Sequence, residues 1–582
     1  MAHRFTYFLI SAAVVGAAAT TIVASSASTA QTRPTKAETR EDWSQFLAAY
    51  IEQTFTANPA FAVGQGRHEF DGQLPDWSET GLQNEMARLR SAIAAAQAFD
   101  PRRLTREQRF ERDYMMAQAR GALFWMADAD EPHRNPSFYM DSGLDPSVYV
   151  TRPYAPPETR LRAYIAYLRA VPRAAQQIRA NLRTPLPLSF IDYGKSAFGG
   201  FAEYYPGDGT RAFAEVRDRA LQAELRTASR EAARAMQGLA DWLESQRRHA
   251  TQDFALGAER FARMLRDTEM VDTPLAELER IGRADLERNQ RALQQACARF
   301  SPGTTIPACM DKMNARKPEG GPVAGARRQL AGLREFLVRE NLVTIPGIEE
   351  ARVEESPPYN RQNSAYIDIP GPFERGLPSV YYISPPDPSW TPEVRAAFIP
   401  GESDLMFTSV HEVWPGHFLN FLHANRSPFL FGRVFVGYAY AEGWAHYSEE
   451  MMWDAGLGGG DPEVHVGQLS NALLRDCRFL SAIGMHTGRM SQEQSRAMFR
   501  EQCYQDEGNS RQQSARGTYD PAYLNYTMGK LLIRRLREDY VRSRGGRRGW
   551  KAFHDRFLSY GGPPVPLVRQ QMLNERTPRA VF

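Results

Sequence analysis

The sequence predicts a mainly α-helical protein with one short β segment. From Glu38 to about Leu342, apolar residues recur at helical spacing, with arginine and glutamate on the opposite faces. A capping residue precedes proline at several helix starts, as in Thr273-Pro274. Apolar residues make up 42% of the 582 residues and charged residues 24%, values typical of a globular protein. We therefore expect a large multi-helix architecture.

The predicted helices and loops divide the chain into three parts. Residues 1–30 form a predicted signal peptide, residues 31–350 an N-terminal helical region, and residues 351–582 a C-terminal region that continues the same helical unit. Helices are predicted at residues 43–55, 79–98, 105–126, 158–182, 212–246, 274–300, 324–341, 441–450, 462–484, 491–503 and 522–541, and a loop at residues 516–521.

One segment departs from the helical pattern. Residues 364–369 and 379–384 are rich in β-branched and aromatic side chains, which predicts a hairpin or two short edge strands. An open strand edge can bind the backbone of a peptide through main-chain hydrogen bonds. The alternative is a small structural ribbon.

The N-terminus has the features of a cleaved signal peptide. Arg4 supplies a positive charge, residues 5–23 are mainly apolar and small, and Ser28-Thr29-Ala30 fits a cleavage site. The alternative is an uncleaved membrane anchor. Because no later stretch approaches eighteen continuous apolar residues, we expect a periplasmic or secreted protein without stable membrane insertion.

The four cysteines support this prediction if they are paired. By proximity we expect disulfides between Cys297 and Cys309 and between Cys477 and Cys503, although four cysteines allow three pairings. A structural zinc site is the alternative, but the chain has no Cys-x-x-Cys spacing.

The net charge is only +3 and no basic block occurs, so we expect no nucleic-acid partner. The sequence does not specify the oligomeric state.

A pair of histidines with an adjacent glutamate forms the strongest functional motif. In the signature His-Glu-x-x-His, two histidines one helical turn apart bind zinc and the glutamate acts as general base. Here His417 follows His411 by six residues, so a regular helix would rotate it roughly 120° away. Pro415 and Gly416 permit a bulge or break that returns His417 to the metal, with Glu412 as the base. The alternative is two unrelated histidines on a kinked core helix.

A second motif supplies a third ligand. In the predicted helix at residues 441–450, Glu442, His446 and Glu449 share one face. Catalytic zinc commonly binds two histidines and one glutamate and keeps a fourth position open. We therefore predict that Glu442 completes the set, with His446 as the second imidazole if His417 does not bind. A solvated acidic stripe is the alternative.

Stabilisation of negative charge on a carbonyl oxygen requires a hydrogen-bond donor. The candidates are His486, Arg516 and Tyr526, and Tyr519 and Tyr523 cluster with Tyr526 in the sequence. Each of them could equally be a hydrogen-bonded core residue.

The segment His-Glu-x-x-Pro-Gly-His followed by Glu-Gly-Trp-Ala resembles the bacterial domain of unknown function 885 family. That family is grouped with zinc-dependent metallopeptidases. Weaker similarities occur at residues 59–71, 475–486 and 526–530, and the resemblance covers residues 43–572. It implies a zincin-like metallopeptidase architecture and favours His486 and Tyr526 among the donors. Ala482 stands where the family usually has aspartate.

These observations together predict an exported zinc-dependent metallopeptidase that hydrolyses peptide bonds. His411, His417 and Glu442 would bind Zn²⁺, and Glu412 would take a proton from the attacking water. Residues 351–582 are therefore the predicted catalytic zinc-binding region, with the predicted hairpin or edge strands beside its active-site cleft. Two alternatives stay open. One is a zinc amidohydrolase acting on a cell-wall or N-acyl amide, and the other is a periplasmic binding protein with a degenerate motif.

Overall fold

The computed structural model describes residues 36–361 and 364–582, and the predicted signal peptide at residues 1–30 lies outside them. Helices dominate this part of the chain, as predicted. The N-terminal region contains the longer helices α1 (Lys36–Ala57), α2 (Glu79–Ala98), α3 (Arg106–Leu123), α4 (Pro157–Asn181), α5 (Leu188–Tyr204), α6 (Arg219–Gln246), α7 (Ala258–Glu269), α8 (Leu275–Phe300), α9 (Ile306–Ala315) and α10 (Gly321–Glu340). The C-terminal region contains α11 (Glu402–Glu412), α12 (His417–Ala424), α13 (Tyr438–Asp454), α14 (Pro462–His486), α15 (Gln492–Glu501), α16 (Glu507–Tyr519), α17 (Asn525–Val541), α18 (Trp550–Leu558) and α19 (Val565–Leu573). Helices of three to seven residues lie between them.

Several helix boundaries differ from the prediction, and two of them have a clear physical reason. The helix predicted from residue 212 begins at Arg219, where the Asp218 side chain accepts hydrogen bonds from the first free N–H groups. The loop predicted at residues 516–521 is wrong for residues 516–519, which form the last turn of α16. Gly517 suggested a loop, but it lies inside the helix, where a Cβ would overlap the Tyr523 hydroxyl.

The β segment is a three-stranded sheet in the order β1-β3-β2. Strands β2 (Ala365–Asp368) and β3 (Ser379–Ile383) form the predicted antiparallel pair. Strand β1 (Ala351–Glu355) pairs parallel to β3 and was not predicted, because its charged sequence lacks the alternation of a half-buried strand. The central strand β3 is therefore buried, whereas β1 and β2 are the edges, and β2 contacts α11.

The N-terminal region holds the segment that connects β2 to β3. The His68 Nε2 atom lies 3.1 Å from Glu374 Oε1, and its ring stacks on Tyr154 with centroids 3.6 Å apart. Arg152 forms ion pairs with Asp368 at the end of β2 (2.6 Å) and with Glu374 (3.2 Å). The sequence signature at residues 59–71 thus contributes to positioning the sheet.

The two helical regions also share a buried charge cluster. Lys530 on α17 lies 2.5 Å from the Asp285 carboxylate on α8 and 3.8 Å from Glu450 on α13. Arg288 on α8 binds Glu450 at 2.8 Å. The surrounding cations outweigh the effect of burial and hold the pKa of Asp285 far below its usual value. Residues on both sides of position 350 therefore form one continuous interior.

Both predicted disulfides are present and include all four cysteines of the chain. Cys297–Cys309 joins α8 to α9, and Cys477–Cys503 links α14 to the residues that follow α15. Paired cysteines of this kind indicate an exported protein. Among the described residues, no helix combines the length and the apolar character that a membrane span requires.

The contacts of His68 predict a pH-dependent contribution to stability. Burial acts to lower the pKa of His68, but Asp71 and Glu374 outweigh it and raise the pKa from 6.5 to about 9. The charged ring therefore stabilises the folded state fully below pH 6.5, and this stabilisation disappears as the pH rises through 9. We expect His68→Gln to lower the free energy of unfolding by about 1–2 kcal/mol near pH 6 and by almost nothing above pH 10.

Denaturant unfolding at several pH values measures this difference. The exposed His249 provides the control as His249→Gln, which should leave the pH profile unchanged. A loss in His68→Gln that stays constant between pH 6 and pH 10 would contradict the assignment.

Candidate metal centre

A break between two helices brings the two motif histidines together. Helix α11 ends at Glu412 and α12 begins at His417. The Gly416 N–H donates to the Val410 carbonyl at 3.0 Å, and a Cβ on Gly416 would overlap the His411 carbonyl. The imidazole centroids of His411 and His417 consequently lie 4.8 Å apart. The structure confirms the predicted break at the Pro-Gly pair.

Three side chains converge beside this break. Glu442 Oε2 on α13 lies 3.2 Å from His411 Nε2 and 3.1 Å from His417 Nε2. One ligand atom from each residue lies within 4.8 Å of the others, as required to hold a metal ion. The side chains of Glu442 and His417 remain 18% and 11% exposed, so solvent reaches the cluster from one side. His446 does not join the set.

A second carboxylate orients His411. Glu449 Oε1 lies 2.7 Å from His411 Nδ1, which directs Nε2 of the same ring towards the cluster. Arg475 pairs with Glu449 at 3.4 Å, and His446 Nδ1 lies 3.3 Å from its other oxygen. Burial lowers the pKa of His446 to about 4, so this ring is neutral. The sequence places Glu449 on the same helix face as Glu442, but the role of Glu449 follows only from its contact with His411.

Glu412 is the buried carboxyl group next to the cluster. The residue is 6% exposed, and its Oε2 atom has no hydrogen-bond partner within the described part of the chain. Burial raises the pKa of Glu412 to about 7; the nearby Glu442 acts in the same direction and His417 opposes it. A carboxyl group with this pKa can both accept and return a proton near neutral pH.

Two glycines let α13 and α17 approach closely. A Cβ on Gly443 would overlap the backbone of Gly529, and a Cβ on Gly529 would overlap the Ala439 carbonyl. This contact places Glu442 and Tyr526 on neighbouring turns of the two helices. This close approach explains why glycine stands at position 443 in the Glu-Gly-Trp motif and at position 529 in the segment of residues 526–530.

Trp444 connects the same helix to the break. Its indole Nε1–H donates to the Pro415 carbonyl at 2.8 Å, and the side chain is completely buried. Because Pro415 precedes Gly416 and His417, this hydrogen bond fixes the backbone that carries the second histidine. The sequence contains both residues, but only the fold shows that they touch.

Tyr526 lies beside the cluster, and Arg516 contacts Tyr526. The Tyr526 ring stacks at 18° to the His411 ring with centroids 5.9 Å apart. Arg516 donates to the Tyr526 hydroxyl at 3.3 Å and to the Tyr438 hydroxyl at 2.9 Å. The Asp520 carboxylate accepts from Arg516 at 2.9 Å, so this guanidinium is neutralised.

The structure does not bring His486 to this cluster. Its Nε2 atom lies 2.7 Å from the Gly517 carbonyl, and its Nδ1 atom accepts from the Leu256 N–H at 3.4 Å. Burial lowers its pKa to about 4, and the ring stacks on Phe261. Both ring nitrogens are therefore hydrogen-bonded to the main chain, and these bonds hold the end of α14 in place.

Tyr519 and Tyr523 also have core contacts. The Tyr523 hydroxyl donates to Ser481 at 2.9 Å. The Tyr519 ring packs on Tyr193 with centroids 4.3 Å apart. Of the three clustered tyrosines, Tyr526 is the one that contacts a residue of the metal cluster.

The fold and the site together define a mainly helical protein with a buried His-His-Glu cluster of the kind that can hold a metal ion. Residues 59–572 match the profile of a family described as bacterial protein of unknown function (DUF885), and the chain belongs to this family. No curated protein matches the sequence.

Two solved structures have the same fold. A protein described as a putative lipoprotein of unknown function from Shewanella oneidensis is 23% identical, with a TM-score of 0.72, over 91% of this chain and 99% of the other. A protein described as a putative lipoprotein from Colwellia psychrerythraea is 18% identical, with a TM-score of 0.75, over 92% of this chain and 99% of the other. The similarity extends through both helical regions.

The Trp444 hydrogen bond leads to a prediction about the site. Trp444→Phe leaves the Pro415 carbonyl buried without its donor, which should lower the free energy of unfolding by about 1–3 kcal/mol. Because the break carries His417, binding of a divalent metal ion should weaken as well. Chemical denaturation and metal-binding calorimetry measure the two effects.

Trp77→Phe is the matched control, since Trp77 is equally buried but lies among the N-terminal helices. It should reduce stability through lost packing and leave metal affinity unchanged. Equal metal affinities in wild type and Trp444→Phe would show that the hydrogen bond does not position His417.

Proposed function

We propose that this protein is a zinc-dependent metallopeptidase of zincin-like architecture that works in the periplasm or outside the cell. The convergence of His411, His417 and Glu442, next to a carboxyl oxygen of Glu412 that has no partner among the described residues, carries this proposal. A site of three protein ligands and an adjacent buried carboxylate is typical of enzymes that hydrolyse amides with zinc.

The donor set fits zinc. Two imidazole nitrogens and one carboxylate oxygen are ligands that Zn²⁺ prefers, and a three-ligand set leaves a position for water or substrate. Glu449 holds His411 with its Nε2 atom facing the other ligands, the arrangement that metal-binding histidines commonly require. Zinc bound by these residues supplies a Lewis acid and lowers the pKa of water to about 7.

Glu412 is the proposed general base and acid. Its Oε2 atom, which has no hydrogen-bond partner in the described part of the chain, takes a proton from the water that attacks the peptide carbonyl and returns this proton to the leaving amine. Tyr526 and Arg516 are the proposed donors to the negative charge that develops on the carbonyl oxygen. We assign His486 to structural support, because its ring nitrogens already bind the main chain.

Strand β2 is the proposed site for the substrate backbone. It is an edge of the sheet, its residues are half-buried, and it contacts α11, the helix that carries His411 and Glu412. A peptide can add to such an edge through main-chain hydrogen bonds, which favours a peptide over another amide as substrate. The buried strand β3 is paired on both sides and cannot serve in this way.

Glu412→Gln should retain zinc and lose turnover. The amide cannot accept a proton from water, so kcat should fall by about 10²–10⁴-fold, while the three metal ligands are untouched. Peptide hydrolysis followed by mass spectrometry, together with zinc analysis of the same sample, measures both effects.

His417→Ala is the companion variant and should lose stoichiometric zinc, because a three-ligand site cannot spare one ligand. Full zinc content in His417→Ala would show that His417 is not a ligand. Normal turnover in Glu412→Gln would refute the proposed mechanism, and hydrolysis restricted to N-acyl substrates would favour an amidohydrolase.

Tyr526→Phe should reduce kcat by about 10²–10³-fold with little change in KM or zinc content. The change removes only a hydroxyl that interacts most strongly with the developing oxyanion. Steady-state kinetics and a thermal melt distinguish this role from a structural one.

The neighbouring Tyr523→Phe is the matched control. It removes a buried hydroxyl that donates to Ser481, so it should lower the melting temperature and leave kcat unchanged. If Tyr526→Phe behaves like Tyr523→Phe, Tyr526 is a core residue only.

A further inference from the structure

Arg478 is a buried cation for which the described residues supply no counter-charge. The residue lies on α14 and is 5% exposed. Its Nε atom donates to the neutral amide oxygen of Gln513 at 2.7 Å, and its guanidinium lies over the Tyr526 ring, 4.5 Å from the centroid. Within the described residues, no aspartate or glutamate forms an ion pair with it.

The neighbouring arginines are neutralised, and Arg478 is not. Arg475 pairs with Glu449, and Arg516 pairs with Asp520. The pKa of Arg478 is lowered to about 10, chiefly by burial and further by repulsion from Arg516 and Arg475, although Tyr526 opposes this. This part of the site therefore carries one uncompensated positive charge.

The contacts that Arg478 makes leave its charge without a counter-ion. A cation above an aromatic ring gains about 0.5–2 kcal/mol and a hydrogen bond to a charged group about 1.5–3 kcal/mol, whereas removing an ion from water costs several kcal/mol even after relaxation. An anion that arrives with a ligand would supply the counter-charge that the described residues do not.

The position of Arg478 relative to the metal cluster indicates which anion it binds. One face of the Tyr526 ring lies against the guanidinium of Arg478, and the ring also stacks on His411, so Arg478 lies one tyrosine ring away from a metal ligand. We infer that Arg478 binds the free C-terminal carboxylate of the substrate and that the protein removes residues from the C-terminal end of peptides. This inference rests on the proposed peptidase function.

The geometry has a direct consequence for specificity. A carboxylate held by Arg478 places the C-terminus close to the metal cluster, so the bond that is cut lies near the end of the chain. A peptide whose C-terminus is an amide brings no charge and leaves Arg478 uncompensated. Internal bonds of a long chain are disfavoured for the same reason.

The test compares free acids with amides. A mixture of N-acetylated tripeptides with randomised side chains is prepared in both forms, and hydrolysis by the zinc-loaded protein is followed by mass spectrometry. We expect kcat/KM for the acids to exceed that for the amides by about 10²-fold, since a buried charge pair is lost in the amides. Equal values, or faster cleavage of the amides, overturn the inference.

Two variants locate the preference. Arg478→Met should bring the acid-to-amide ratio close to one. Gln513→Glu places a carboxylate beside the Arg478 Nε atom, so it should neutralise the guanidinium within the protein and abolish the preference without removing the arginine. Arg489→Met, a change at a residue whose side chain is 55% exposed, is the control and should keep the ratio of the wild type. A wild-type ratio in both Arg478→Met and Gln513→Glu overturns the inference.

A binding measurement separates this inference from the proposed catalysis. The peptide mixture is equilibrated with Glu412→Gln, and the retained peptides are identified by mass spectrometry. Enrichment of acids that disappears in Glu412→Gln/Arg478→Met supports carboxylate binding even if the wild type hydrolyses nothing. Hydrolysis without enrichment of acids leaves the peptidase proposal standing and overturns the role of Arg478.

Discussion

The hydrogen bond from the Trp444 indole to the Pro415 carbonyl links the two motifs of the candidate site. One end lies on α13, next to Glu442, and the other lies in the break that precedes His417. The contact between Gly443 and Gly529 then sets the separation of α13 and α17. The metal cluster thus depends on backbone positions that are fixed by packing, and a histidine in a regular helix would lie on the wrong side.

Charge compensation organises the interior around this cluster. Glu449 is matched by Arg475, and Asp285 by Lys530. Such pairs are costly to break, because a single buried charge remains when one partner is removed. Arg478 differs from these residues because no carboxylate in the described part of the chain pairs with it. In the proposed function its charge is available to a ligand, whereas the paired charges maintain the fold.

Part of this structure follows from local sequence. The helices follow from apolar periodicity, the break from Pro415 and Gly416, and the disulfides from proximity along the chain. Other features depend on contacts between residues that are far apart in the sequence, and the periodicity of a single segment does not reveal such contacts. The charged strand β1 forms only because β3 offers an edge for pairing. The His486 ring is hydrogen-bonded to the main chain of residue 256, which is distant in the sequence. That no carboxylate among the described residues pairs with Arg478 likewise becomes clear only when the positions of all its neighbours are known.

The charge cluster shared by the two regions also limits how the protein can be divided. A fragment beginning at residue 351 would contain Lys530 without Asp285 and Glu450 without Arg288. Both charges would then lie on a surface that is buried in the whole protein. The half that carries the candidate site is therefore not an autonomous module that recombination could move into another protein. Inheritance of the two halves as a single unit agrees with a family match that spans residues 59–572.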